Sequence, residues 1–144
     1  MKPRIRLLGL PLHPFLVHFP IAFWLLTPAF DIAALLNPTG PWWMLGLGAT
    51  VLGVAIGALA IAAGLLEYLQ PSLAGIDLRL AAKHGIRTTL AWCVFTAKAV
   101  LATLLPFAQW SLLVCLALGL LGCVLLVQGV YFGTRQVYQL LEKD

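Results

Sequence analysis

Four separate apolar stretches of about 20 residues or more constrain this chain most strongly. A helix rises about 1.5 Å per residue, so each stretch is long enough to cross about 30 Å of hydrocarbon. Only 10% of the 144 residues are charged and the mean hydropathy is +0.99, whereas soluble domains carry about 25% charged residues. These values exclude a water-soluble enzyme. They predict an integral membrane protein whose first partner is the lipid bilayer.

Prolines and glycines divide the apolar sequence into spans, because such residues end helices at the connections. Connections this short force consecutive spans to lie side by side and antiparallel. The sequence therefore predicts an all-α fold, an integral membrane four-helix up-down-up-down bundle in one domain over residues 1–144. The expected spans cover about residues 14–36, 42–69, 82–105 and 110–132, with a short interfacial extension at 133–144.

The basic residues predict the orientation of the bundle. Eight of the nine lie in the N-terminus, the second connection or the C-terminus, and the first and third connections have none. The positive-inside bias then places both termini and the second connection on the cytoplasmic side of the membrane. No solvated basic face is formed, so a nucleic-acid partner is not expected. The eight residues are Lys2, Arg4, Arg6, Arg79, Lys83, Arg87, Arg135 and Lys143.

Small residues recur along one face of the second span and of the fourth. Such faces allow helices to approach closely in lipid. An alternative use is that a smooth glycine face accommodates a flat macrocycle between helices. The glycines concerned are Gly46, Gly53, Gly57 and Gly64 in the second span, and Gly122, Gly129 and Gly133 in the fourth.

Ionisable residues inside a span are costly, so each is a candidate functional residue with a partner to be found. Lys98 lies about 21 Å beyond His84 along the third span, and Asp31 lies about 20 Å beyond His18 along the first. We therefore expect Asp31 and Lys98 to form an ion pair in the outer half of the membrane. Glu67 closes the second span at the inner level, where it joins the histidines in an inner polar cluster.

Two histidines are expected at similar depth on different spans, which suits two ligands of one metal centre. Neutral imidazole is a frequent axial ligand of haem iron, so His18 and His84 are the expected ligands of a haem b, with His13 as the substitute for either. The same two histidines are the candidate metal ligands. The remaining expected cofactor-binding residues are Arg87, which would meet the propionates, and Trp24 and Trp92, which would wall the site.

With a haem, the protein would serve as an electron-transfer or membrane-anchor subunit and would not be an enzyme on its own. It would need another membrane or redox subunit, or a quinone. Two other functions remain open: a non-catalytic packing or assembly subunit with structural histidines, and a proton or ion pathway through His18, His84, Asp31 and Lys98. A zinc or copper site that includes Glu67 is also allowed by ligand type.

The segment from Leu12 to Ala22, LHPFLVHFPIA, resembles the opening motif of a family of small bacterial membrane proteins known as domain of unknown function 2231. The resemblance continues more loosely over most of the chain. It implies a four-helix protein of the bacterial inner membrane and marks His13, His18, Asp31 and His84 as positions to test. The family supplies no established activity.

Overall fold

The computed structural model describes residues 6–7, 9–69 and 78–141. Its main elements are four helices, which confirms the all-α class. A two-residue strand β1 (Arg6–Leu7) pairs with β2 (Leu10–Pro11) in a tight antiparallel turn, where Gly9 has a φ of 82°. The helices are α1 (Leu12–Leu36), α2 (Trp42–Tyr68), α3 (Leu78–Leu104) and α4 (Gln109–Leu141).

The helix ends differ from the expected spans mainly in α3 and α4. α3 begins at Leu78, four residues before the expected start. α4 continues without a break to Leu141, so most of the expected interfacial extension forms the last turns of that helix. Three of the basic residues used to predict orientation lie outside the described part of the chain, namely Lys2, Arg4 and Lys143.

The helices pack as two antiparallel hairpins. α1 pairs with α2 and α3 pairs with α4 through the two extensive interfaces, while smaller interfaces join α1 to α4 and α2 to α3. This order places α1 and α3 on a diagonal of the bundle, running in the same direction. Side chains from α1 and α3 can therefore meet across the core at matching heights.

The outer surface of the bundle is apolar. Large side chains such as Leu36, Met44 and Leu104 are mostly exposed, as expected where lipid replaces water. By length and composition, three helices of the described chain can cross a membrane: α1, α2 and the part of α4 from Gln109 to Tyr138. α3 falls outside that group; it has the same 27-residue length as α2 but carries four basic residues. The bundle is therefore a membrane protein.

Aromatic rings fill the middle of the core. Trp24 of α1 stacks on Phe95 of α3, with ring centroids 4.6 Å apart and planes within 7°. A Cβ atom built at Gly53 would lie closer than 3 Å to the Trp24 ring, and one built at Gly122 would lie closer than 3 Å to the Phe95 ring. The glycine faces of α2 and α4 thus make room for bulky side chains from the diagonal helices.

A histidine pair between α1 and α3

Two histidine rings meet at the end of the bundle where α1 and α3 begin. His13 lies in the first turn of α1 and His84 in the second turn of α3. Their ring centroids are 6.3 Å apart and their planes are nearly perpendicular, at 84°. Both side chains are half-buried, so the pair lies in a part of the core that is more open than the aromatic centre.

Each ring is held by a main-chain carbonyl of a neighbouring helix. His13 Nδ1 lies 2.7 Å from the carbonyl oxygen of Ala60 in α2, and His84 Nδ1 lies 2.8 Å from that of Gly129 in α4. A carbonyl oxygen only accepts hydrogen bonds, so Nδ1 carries the proton in both rings. In a neutral imidazole the other nitrogen, Nε2, then keeps a free lone pair.

Metal-binding histidines commonly have this same support. A ligating imidazole almost always donates its second ring N–H to a carboxylate, a carbonyl or a water, which fixes the ring and makes the ligating nitrogen more basic. His13 and His84 both satisfy this condition through helix carbonyls. The two histidines therefore share one feature of metal-binding histidines, the hydrogen bond from Nδ1 to a carbonyl.

Two glycines make these hydrogen bonds possible. In a helix the carbonyl of residue i lies beside residue i+4, so Gly64 stands over the Ala60 carbonyl and Gly133 over the Gly129 carbonyl. A Cβ atom at Gly64 would lie 2.8 Å from His13 Cε1, and one at Gly133 would lie 2.8 Å from His84 Nδ1. Any side chain at either position would push the ring away from its carbonyl.

Charged groups surround the histidine end. Arg87 is half-buried on α3, three residues after His84, and its Cβ lies 3.5 Å from the Cβ position of Gly129. The Lys83 ammonium lies 5.6 Å from the centre of the Phe132 ring. On α2, the Oε1 atom of Glu67 is buried without a hydrogen-bond partner. Arg87 and Lys83 thus bring two cationic side chains to the start of α3, and Glu67 brings an unsatisfied polar atom to the last turns of α2.

The number of ligands bears on which metal centre fits. Within the described residues, no group of three or more His, Cys, Asp or Glu side chains is placed to hold a metal ion. Structural zinc uses four protein ligands and catalytic zinc uses three. Haem iron needs only axial ligands from the protein, because the porphyrin supplies the others. Two histidines alone fit an axial pair better than a zinc or copper site.

His18 is placed differently from the expectation. It lies on the exposed side of α1, and the structure brings His13 to His84 in its place. The physical reason is helical phase: five residues rotate a helix by about 140°. His13 lies within α1 and faces the core, so His18 must face outward, beside the exposed Phe15 and Phe19 rings.

Asp31 and Lys98 lie together in the core, toward the other end of the bundle. Lys98 Nζ is 2.5 Å from Asp31 Oδ2, and both side chains are almost fully buried. Gly119 of α4 provides the space, since a Cβ there would lie 3.3 Å from Lys98 Nζ and 3.4 Å from Asp31 Oδ2. The two charges neutralise each other where neither could be solvated by water.

The two tryptophans belong to the middle of the bundle. Trp24 is eleven residues beyond His13, about 16 Å along the helix, and it forms the stack with Phe95. Trp92 donates its Nε1–H to the Val54 carbonyl at 2.9 Å and packs on Gly57. Both rings fill the core beyond the histidine end. Their expected role as walls of a cofactor site stays a prediction.

The remaining expected packing residue, Gly46, lies beside Asp31. A Cβ there would lie 3.2 Å from Phe30 Cβ and 3.6 Å from Asp31 Oδ1. Five of the expected glycines therefore border the aromatic and histidine side chains of the diagonal helices directly, and Gly46 borders the ion pair. The carbonyl of Gly129 accepts the hydrogen bond from His84, and the absence of a side chain on Gly129 leaves room for Thr88.

The fold and the histidine pair define a class of protein, a small all-helical integral membrane bundle with a candidate metal site at one end. The family described as "Predicted membrane protein (DUF2231)" matches residues 9–141. The chain belongs to this family. No curated protein and no solved structure matches it.

Proposed function

We propose that this protein binds one b-type haem through His13 and His84 as axial ligands, and that it serves as an electron-transfer or membrane-anchor subunit. The observation that carries the proposal is that the Nδ1 of each ring is hydrogen-bonded to a helix carbonyl, so that in a neutral imidazole Nε2 would be the nitrogen available to a metal. When bound, a haem would supply one-electron redox chemistry. The protein would contribute the ligands, the burial and the neighbouring charges.

The spacing of the rings supports a single metal centre between them. Two imidazoles that held one metal ion would each bind it at about 2.0–2.1 Å through one nitrogen, which requires the two rings to lie close together. The centroids of His13 and His84 are 6.3 Å apart. Arg87 is the nearest half-buried cation along α3 and is the residue we assign to a propionate.

A redox subunit of this kind needs a partner. The histidine pair lies at one end of the bundle, so a single centre there reaches only one side of the bilayer. We assign that side to the cytoplasm of a bacterium, because Arg79, Lys83 and Arg87 cluster at the start of α3. The partner would be another redox subunit or a quinone.

The proposal of a proton or ion pathway has less support. Such a pathway would have to join the histidine end to Asp31 and Lys98 through the core. The stacked Trp24 and Phe95 rings occupy the core between them, and they are 3% and 0% exposed. A packing subunit with structural histidines remains the alternative that the experiment must separate.

The test uses His18 as a matched control for His13, because both are histidines on α1 and only one faces the core. The protein is purified in detergent from cells supplied with a haem precursor, and absorption spectra are recorded after oxidation by air and reduction by dithionite. We expect a Soret band with sharp α bands on reduction, lost in His13→Ala and in His84→Ala and retained in His18→Ala.

Two results would contradict the proposal. One is a well-folded protein that stays colourless after titration with haem, which leaves the packing subunit as the function. The other is a haem spectrum that disappears in His18→Ala and survives in His13→Ala. Circular dichroism of each variant separates loss of the cofactor from loss of the fold.

A further inference from the structure

The two hairpins contain the same arrangement twice. His84 follows His13 by 71 positions, and Phe95 follows Trp24 by the same interval. On the partner helices, Gly133 follows Gly64 by 69 positions. The interval is constant within each type of helix, as it would be if α3 and α4 repeated α1 and α2.

The contacts repeat along with the positions. His13 donates to the carbonyl of residue 60 and rests on the glycine four residues later, and His84 does the same with residues 129 and 133. One level further into the core, Trp24 rests on Gly53 and Phe95 rests on Gly122. Gly122 also follows Gly53 by 69 positions. In both hairpins, two successive layers of the core therefore contain a ring from the first helix packed on a glycine of the second helix.

The buried faces coincide at the same intervals. Four buried positions of α1 match four of α3 at an interval of 71, and five buried positions of α2 match five of α4 at 69. The matching pairs are 20 and 91, 24 and 95, 27 and 98, and 31 and 102 in the first set, and 46 and 115, 50 and 119, 53 and 122, 57 and 126, and 60 and 129 in the second.

We propose that the α1–α2 and α3–α4 hairpins are two copies of one unit related by a two-fold axis along the bundle, and that the histidine pair is a symmetric site on this axis. Each half-site consists of a histidine, the helix carbonyl that orients it and the glycine above that carbonyl. Gly64 and Gly133 are the two positioning residues. The ligand class rests on the proposed function: a metal centre that would take one imidazole from each half-site.

The ion pair is where the two copies differ. The position equivalent to Asp31 is Ala102, and the position equivalent to Lys98 is Thr27. Two identical units carrying Asp31 would place like charges near each other in the core, and so would two units carrying Lys98. Opposite charges on the two hairpins therefore favour pairing between unlike copies.

The equivalence of the half-sites can be tested without any ligand. ¹⁵N spectra of histidine-labelled, haem-free protein in detergent report which ring nitrogen carries the proton. We expect Nδ1–H in both His13 and His84, with nearly equal shifts, and a different, solvent-averaged signal from His18. A wild-type spectrum in which either core histidine is protonated at Nε2 instead would overturn the symmetric site.

Glycine substitutions then test the positioning role. Gly64→Ala should alter the His13 signal and Gly133→Ala the His84 signal, each leaving the other histidine unchanged. Each should reduce haem affinity about 10- to 100-fold, the usual effect of losing the outer partner of a ligating histidine. The controls are Gly48→Ala and Gly85→Ala, which have no atoms within 4 Å of the new methyl group.

The outcomes separate the two proposals. Matched effects on the two histidine signals with no haem binding would keep the symmetric site and overturn the haem. Haem binding that is sensitive to only one of the two glycines would overturn the equivalence and keep the cofactor. Gly53→Ala and Gly122→Ala are the controls for a purely structural effect. They strain the aromatic layer of Trp24 and Phe95 and should leave both histidine signals unchanged. If a glycine variant fails to fold, the wild-type spectrum alone decides.

Discussion

The histidine end and the ion pair are both contacts between α1 and α3, yet they are satisfied in opposite ways. Asp31 and Lys98 bind each other directly and are almost completely buried, so neither charge is left to bind anything else. His13 and His84 are half-buried, and the Nδ1 of each ring is hydrogen-bonded to a carbonyl of another helix and not to the other ring. The first contact joins α1 to α3 directly, whereas the second ties α1 to α2 and α3 to α4.

The largest effect on stability should come from breaking the ion pair. Asp31→Ala leaves a buried ammonium without a partner, and loss of one member of a buried pair typically costs about 3–5 kcal/mol. The free energy of unfolding can be measured by denaturant titration in mixed micelles. The double variant Asp31→Ala with Lys98→Ala should recover much of the loss, because no charge is then stranded. A double variant no better than the single one would show that packing, and not charge, dominates this contact.

A smaller effect should follow from overfilling the aromatic core. Gly53→Ala places a methyl group against the Trp24 ring, and inserting a methyl into a packed core typically costs about 1–3 kcal/mol. The same titration checks this value. Gly48→Ala is the matched control on α2, because its methyl group would meet no atom within 4 Å. Equal stability of the two variants would mean that the Trp24 ring can move.

The smallest effect on stability should come from the histidine end. His13→Ala removes one neutral hydrogen bond, a contribution of about 0.5–1.5 kcal/mol, and His18→Ala removes none. If His13→Ala instead destabilised the haem-free protein as strongly as Asp31→Ala does, the histidine end would be a structural contact like the ion pair. The contrast between the two regions would then be wrong.

Much of the fold can be predicted from the sequence. Apolar length sets the number of helices, and the short connections at 37–41 and 105–108 leave antiparallel packing as the only arrangement for the neighbours that they join. Counting residues along the helices is also sufficient to predict that Asp31 and Lys98 lie at one level of the membrane. These inferences depend on composition and on helical rise, which tertiary contacts alter little.

The choice between two histidines on one helix could not be made from depth alone. His13 and His18 differ by about one turn in height, so only the direction in which each side chain points distinguishes them. Asp31 carries the missing information: it lies eighteen residues, or five full turns, after His13, and so on the same face. Using the charged residue to set the inward face of α1 selects His13 and turns His18 outward.

The role of the glycines also could not be predicted from sequence patterns. The spacing identifies a smooth face on α2 and on α4, but the rings that occupy those faces come from helices distant in the sequence. His13 reaches Ala60 across 47 positions and His84 reaches Gly129 across 45. Only the three-dimensional arrangement shows that two glycines leave a carbonyl uncovered for a histidine.

The stack of Trp24 on Phe95 divides the interior of the bundle into two compartments. The two rings are 3% and 0% exposed and lie between the histidine end and the ion pair of Asp31 and Lys98. If the proposed cofactor is bound, this aromatic layer would separate it from the ion-pair end, so its chemistry would take place toward one face of the membrane.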